Sequence, residues 1–318
     1  MAADGPGRGC PLGYRYGAAS LAGPESLQVD TLWVAGGLYG NLEALARLLE
    51  LYDEEPGDKA LVFNGDFHWF DVARDDFARV NAAVLAHHAT RGNVETELAF
   101  PSPDAGCGCG YPDWVGDAEV ERSNRMIERL RAAAAPSPGM LRALARLPMH
   151  LVALVGGERV GIVHGDADSL AGWAFSQETL RTSAGIEAAR ASLVAANARI
   201  FASSHTCLPV LQSMGDGRAI VNNGAAGMPN FSGSRFGLAT RISVRPRAGA
   251  LYGIRAGMLE VEARAIAYDH AAWRQRFLAS WPRGSDAHAS YFPRIESGPR
   301  YELASAVRAD PGVARRAA

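Results

Sequence analysis

The chain has almost no lysine. Lys59 is the only one among 32 basic residues, the rest being arginine, and alanine is abundant. That bias reads as codon usage and carries no functional weight. An apolar run of membrane-spanning length is also missing, so no transmembrane helix is expected. Neither sign of charge dominates. The 32 basic and 34 acidic residues leave a net charge of -2, which excludes a broad pull toward nucleic acid or anionic lipid. The four cysteines, Cys10, Cys107, Cys109 and Cys207, are too few for a disulfide scaffold in a chain of 318 residues. Met1 to Asp30 is rich in Gly, Pro and Ala and has neither the basic start nor the apolar block of a signal peptide. A cytoplasmic location, away from any membrane, is therefore the expectation.

What is present is the composition of a globular protein, 48% hydrophobic and 21% charged. Residues 1–29 read as a loose leader, 30–270 as one domain, and 271–318 as a C-terminal helix and tail packing on it. Thr31–Ala35 and Lys59–Asn64 read as short apolar strands. Between them, Leu42, Leu45, Leu48 and Leu49 recur with a helical period. Residues 76–88 carry Phe77, Val80, Val84 and Leu85 on one helical face. Strand, helix, strand, helix at this spacing predicts an α/β fold with a largely buried sheet. Residues 101–116 form a Pro/Gly-rich loop around Cys107-Gly108-Cys109, long enough to suggest function. Two hairpins are expected, at 150–163 and 210–221, and helices at 117–147, 176–197 and from 271 onward.

Polar clusters stand where apolar strands end. They read Asn64-Gly65-Asp66-Phe67-His68, Arg91-Gly92-Asn93, His164-Gly165-Asp166, Ser204-His205-Thr206-Cys207 and Asn222-Asn223-Gly224. Asp66, Asn93, His164 and His205 can converge on one point from such junctions. Oxygen and imidazole ligands of that kind suit a divalent metal.

In order and spacing these clusters resemble the calcineurin-like metallophosphoesterase superfamily, from about Leu32 to about Gly233. The likeness is greatest to small bacterial phosphodiesterases and phosphatases. Their first motif ends in Gly-Asn, here within Gly37-Leu38-Tyr39-Gly40-Asn41. Their last is an Asn-Pro-Gly-Ser-type loop, here Asn222-Asn223-Gly224-Ala225-Ala226-Gly227-Met228-Pro229. The resemblance implies two mixed β-sheets packed face to face and flanked by helices. It also implies hydrolysis of a phosphodiester or phosphomonoester at two metals about 3–4 Å apart that share a carboxylate. Asp66 matches that bridging carboxylate, and Asn93, His164 and His205 match the other ligands of the second metal.

The first-metal half departs from the pattern. Gly37 and Tyr39 replace Asp and His of the opening motif, Cys207 replaces the last His, and Val94 replaces the catalytic acid. Two arrangements follow. One is a mononuclear centre. The other is a site rebuilt with Cys207 as ligand, drawing on His68, Tyr39 or the Cys107–Cys109 loop. Mn, Zn or Fe is the expected metal. The expected catalytic group is Asp66, Asn93 and His68, with His68 as the replacement acid, and Asn41 and Arg91 are expected to hold the substrate phosphate. Two other readings stay open: a degraded homologue that binds a phosphorylated ligand or partner without turnover, and a repurposed iron-dependent metalloenzyme. The expected partner is a small phosphorylated substrate, with a homodimer through residues 271–302 as a further option.

Overall fold

The strand Thr31–Ala35 sets the layering. Leu32 and Val34 enter one apolar cluster while Trp33 and Ala35 enter another. Lys59–Asn64 divides in the same way, with Ala60 and Val62 on one side and Leu61 and Phe63 on the other. Side chains alternate with a period of two, so strands apolar at every position are buried on both faces. The protein is seen here as a computed structural model, which describes residues 5–308 and the backbone of 316–317.

Among the described residues there are fourteen strands: β1 Leu27–Val29, β2 Thr31–Ala35, β3 Lys59–Asn64, β4 His88–Thr90, β5 His150–Val155, β6 Glu158–Val163, β7 Ile200–Ser203, β8 Val210–Ser213, β9 Ala219–Asn222, β10 Gly237–Ser243, β11 Tyr252–Ala256, β12 Leu259–Ile266, β13 Val307–Arg308 and β14 Arg316–Ala317. They make two seven-stranded mixed sheets, ordered β1-β5-β6-β7-β9-β8-β13 and β14-β11-β12-β10-β2-β3-β4. The helices are α1 Leu42–Asp53, α2 Arg74–Val84, α3 Asn93–Ala99, α4 Asp117–Ala134, α5 Pro138–Ala145, α6 Ser183–Ala195, α7 His270–Ser280 and α8 Asp286–Ser297. None of the described helices is long and apolar enough to cross a membrane.

The inner faces of both sheets share one core, in which Leu32, Val34 and Val62 meet Val160, Ile162 and Ile200. The outer face of the sheet holding β2 and β3 packs against α1, α2, α4, α7 and α8, and the outer face of the other against α6. This is the expected α/β sandwich, two mixed sheets face to face between helices. Both expected hairpins form, as β5–β6 and β8–β9. In each sheet three adjacent strands run parallel, β2-β3-β4 and β6-β7-β9. The loops after β2 and β9 meet in a Gly37–Ala225 bridge, which places these strand ends beside one another.

One expectation changes. Residues 5–29 are not loose: Tyr14 and Leu21 are buried, and the Tyr14 hydroxyl donates to Glu97. Residues 1–4 of that leader lie outside the described residues. Trp273, Phe277 and Trp281 of the C-terminal segment are buried in the chain's own core.

Candidate metal centre

The β3 strand ends at Asn64, and the chain then turns through two left-handed residues, Gly65 (φ 75°) and Asp66 (φ 54°). Asp is among the few residues with a side chain that tolerates this region. Gly65 is required, because a Cβ there would press on the Gly92 backbone and the His164 ring. The turn is held by Glu95, whose buried carboxylate accepts from the backbone N–H groups of Asp66, Phe67, His68 and Gly92. One side chain thus ties the end of β3 to the start of α3, where Asn93 sits. Burial, then the Asp66 charge, pushes the Glu95 carboxyl up, against the pull of those amides.

Asp66 and Asn93 come from one sheet, His164 and His205 from the other. All four are buried. Ligand atoms of Asp66, His164 and His205 lie within 4.8 Å of one another. His164 Nε2 is 3.3 Å from Asp66 Oδ2, 3.2 Å from Asn93 Oδ1 and 3.2 Å from His205 Nδ1. The outer atoms fix which groups face inward. His164 Nδ1 lies 2.8 Å from the Asn64 carbonyl, and His205 Nε2 lies 2.8 Å from the Cys109 carbonyl. A carbonyl only accepts, so each of those nitrogens carries the hydrogen. Asn93 Nδ2 donates to the Cys107 carbonyl at 2.9 Å, which turns its Oδ1 inward.

With both imidazoles neutral, the result is four converging lone-pair atoms, Asp66 Oδ2, Asn93 Oδ1, His164 Nε2 and His205 Nδ1, with no hydrogen between them. Such a group repels itself unless a cation sits among its members. The donor set therefore fits a divalent metal, two nitrogens and two oxygens. Without a metal, a proton on His164 Nε2 meets part of that repulsion, and a bound cation would displace it. Burial pushes the Asp66 carboxyl up, but the His164 imidazole more than offsets this and holds it below the usual range. Burial pushes His164 down, and the Asp66 charge overrides it and raises it. Burial and the neighbouring His164 press His205 down to about 4, so it is neutral at pH 7 and free to ligate.

The other half of the expected centre is filled by protein. A Cβ built on Gly37 would fall inside the Tyr39 ring. Tyr39 thus takes the space of the carboxylate that the motif would place at 37. Its hydroxyl lies 2.8 Å from Cys207 Sγ, and the Cys207 thiol lies 3.2 Å from the His205 carbonyl, to which it donates. Burial raises the proton affinity of both groups. Cys207, expected as a ligand, is thus a capped thiol outside the four-atom group. Tyr39, Asp66 and Cys207 are three of the four described non-glycine residues with positive φ. Backbone strain of this kind gathers at functional sites.

Other expected site residues lie elsewhere. His68 leaves the turn on the far side, fully buried. It stacks on Phe77 at 4.0 Å between ring centres, with Nδ1 2.8 Å from Asp71. It faces away from the four-atom group and cannot reach a leaving group. Asn41 caps α1, accepting from the Ala44 N–H and donating to the Gly227 carbonyl. Arg91 points to the carbonyls of Ala145 and Leu147 and lies over Phe100. Cys107 and Cys109 are joined as a disulfide. Their contribution is the two carbonyls that orient Asn93 and His205. Sequence reasoning missed Glu95, although its spacing from Gly92 is that of a capping box.

The four-atom group opens into a cavity of about 250 Å³, walled by Trp69, Tyr111, Trp173 and Tyr291 and reached by Arg294. A larger hollow of about 580 Å³ lies on another face. Its charged groups pair among themselves and with Glu25, and it holds no comparable ligand set.

The arrangement of sheets and helices is that of the calcineurin-like metallophosphoesterase fold. Over 85% of this chain and 100% of the other, the structure matches a metallophosphoesterase from Sphaerobacter thermophilus, with 15% sequence identity and a TM-score of 0.55. A hypothetical protein from Pyrococcus horikoshii OT3 matches over 86% of this chain and 99% of its own, with 14% identity and a TM-score of 0.54. At such identities the likeness is one of fold. No protein-family model matches the chain, and no curated protein does.

Proposed function

We propose that the protein is a metal-dependent phosphoesterase with a single metal ion held by Asp66, Asn93, His164 and His205. The observation that carries this reading is the convergence of four ligand atoms whose outer partners are all backbone carbonyls or, for Asp66, a backbone amide. A divalent ion bound there supplies Lewis acidity toward a phosphoryl oxygen and makes a water acidic near neutral pH. The chain's own residues do the rest. Asn64 and the disulfide loop fix the imidazole tautomers and the Asn93 amide. Glu95 holds the turn that presents Asp66.

Protonation of the leaving group is where this site is poor. Val94 has no proton to give and His68 is turned away. Glu119, the other carboxyl beside the cavity, is engaged by Arg122. The substrates favoured are therefore those whose leaving group departs as a stable anion, such as aryl phosphodiesters and phosphoanhydrides, over alkyl monoesters.

The test is metal content by elemental analysis alongside hydrolysis of bis-p-nitrophenyl phosphate and p-nitrophenyl phosphate with added Mn, Zn or Fe(II). One equivalent of metal and a preference for the diester are expected, both lost in Asp66→Ala. A protein that takes up no metal and hydrolyses neither ester would instead be a binding protein built on this fold.

A further inference from the structure

The motif lost at positions 37, 39 and 207 removes one cation from the expected pair, yet a substrate phosphate still needs its charge met. The cavity contains a group suited to this. Arg294, on α8, lines it together with Tyr39, Asp66, Asn93, His205 and Cys207. Its Nε donates to the Pro229 carbonyl and its Nη2 to the Cys207 carbonyl, each at 2.9 Å. Both acceptors are neutral. Among the described residues no carboxylate pairs with Arg294, and Nη1 has no protein partner. Arg131 by contrast pairs with Glu97, and Arg276 with Glu43 and Asp76, while Arg91, also without a carboxylate, lies away from the cavity. The guanidinium plane is thus fixed by two backbone groups while its charge is left uncompensated, next to the metal ligands. Its contact with the Cys207 backbone places it beside the lobe that Tyr39 and Cys207 fill.

The charges also balance. A divalent ion with the carboxylate that the motif places at 37 carries one net positive charge. A guanidinium beside the neutral Tyr39–Cys207 pair carries the same.

We propose that Arg294 replaces the missing second cation, holding a non-bridging oxygen of the substrate phosphate through Nη1 while the phosphorus faces the Asp66–Asn93–His164–His205 group. This rests on the phosphoesterase reading above for its substrate, but its anion site is defined without the metal. Guanidinium binds phosphate through directed hydrogen bonds, so lysine at this position keeps the charge and loses the geometry.

The probe is inorganic phosphate, its dissociation constant measured by calorimetry on wild type, Arg294→Lys and Arg294→Gln, each with metal and after chelation. Elemental analysis and melting temperature are recorded on the same samples. Expected is an unchanged metal content, with phosphate affinity about 10- to 100-fold weaker in Arg294→Gln, as for the loss of a charged hydrogen bond. A smaller loss is expected in Arg294→Lys, and the same order among the three proteins without metal. Phosphate affinity unchanged in Arg294→Gln would overturn the proposal, whatever happens to its melting temperature. If Arg294→Gln does not fold, Arg294→Lys decides: wild-type affinity for phosphate together with a wild-type rate on the aryl diester would overturn it. Failure of the wild type to bind metal would sink the phosphoesterase reading, and phosphate binding to the metal-free proteins would then decide the role of Arg294.

Discussion

At the scale of single residues, Tyr39 occupies the lobe in which a second metal would sit in the proposed centre. Its ring fills the space beside Gly37, so Gly37→Asp alone is expected to destabilise the fold by overpacking, by about 1–3 kcal/mol in a denaturant melt. The triple variant Gly37→Asp, Tyr39→His, Cys207→His removes that ring and restores the family motif. It is expected to bind a second equivalent of metal, read by elemental analysis; a single equivalent would mean the lobe is closed for other reasons. Asp66, His164 and His205 were legible in the sequence because each follows an apolar strand, and Asn93 because it follows Arg91-Gly92 in the same order of clusters. His68 was not, because the left-handed Asp66 reverses the direction of the chain and sends the second residue after it into the helix-facing core. Arg294 left no local trace. It lies 87 residues beyond Cys207, whose carbonyl it holds, and nothing in the spacing links the two.

At the scale of elements, the 101–116 loop acts through its backbone. Its cysteines were read as ligand candidates, yet the Cys107 and Cys109 carbonyls are what touch Asn93 and His205. The disulfide stiffens the segment that presents them. Reduction with a phosphine that does not chelate is expected to weaken metal affinity by about 10- to 100-fold, the range for lost outer-shell support of a ligand. Competition with a chromophoric chelator measures this, and Cys107→Ser should match the reduced wild type while ignoring the reductant. Equal affinity in both redox states would show that the loop holds its shape without the bond. The β5–β6 and β8–β9 hairpins were legible from turn residues between apolar runs. The packing of residues 5–29 was not, because a Gly/Pro/Ala-rich composition masks the few side chains, Tyr14 and Leu21, that anchor it.

At the scale of the whole molecule, a buried ionic network spans the end of the domain remote from the cavity. Arg241 bonds Glu55 and Glu262, and Arg247 joins at Glu55. Burial pushes the Glu55 carboxyl up, but Arg241, then Arg247 and Trp33, bring it from 4.5 to about 2. A carboxyl with a depressed folded-state pKa stabilises above its unfolded value and loses that contribution as pH falls through the folded one. Glu55→Gln is therefore expected to cost about 3 kcal/mol near pH 7, by leaving a buried arginine short of a partner. The gap from wild type should close between pH 4.5 and about 2 in urea melts. A gap that stays constant over that range would mean Glu55 contributes through packing and not through charge.

The four inward atoms belong in pairs to opposite sheets, two from the ends of β3 and β4 and two from β6 and β7. An ion among them would therefore act as a clasp across the sandwich, absent from the unfolded chain, where those residues are far apart. Folding and metal uptake become linked by mass action: free metal at a hundred times its dissociation constant adds about 2.7 kcal/mol to stability. Occupancy can then be followed as a rise in melting temperature, even in variants that hydrolyse nothing.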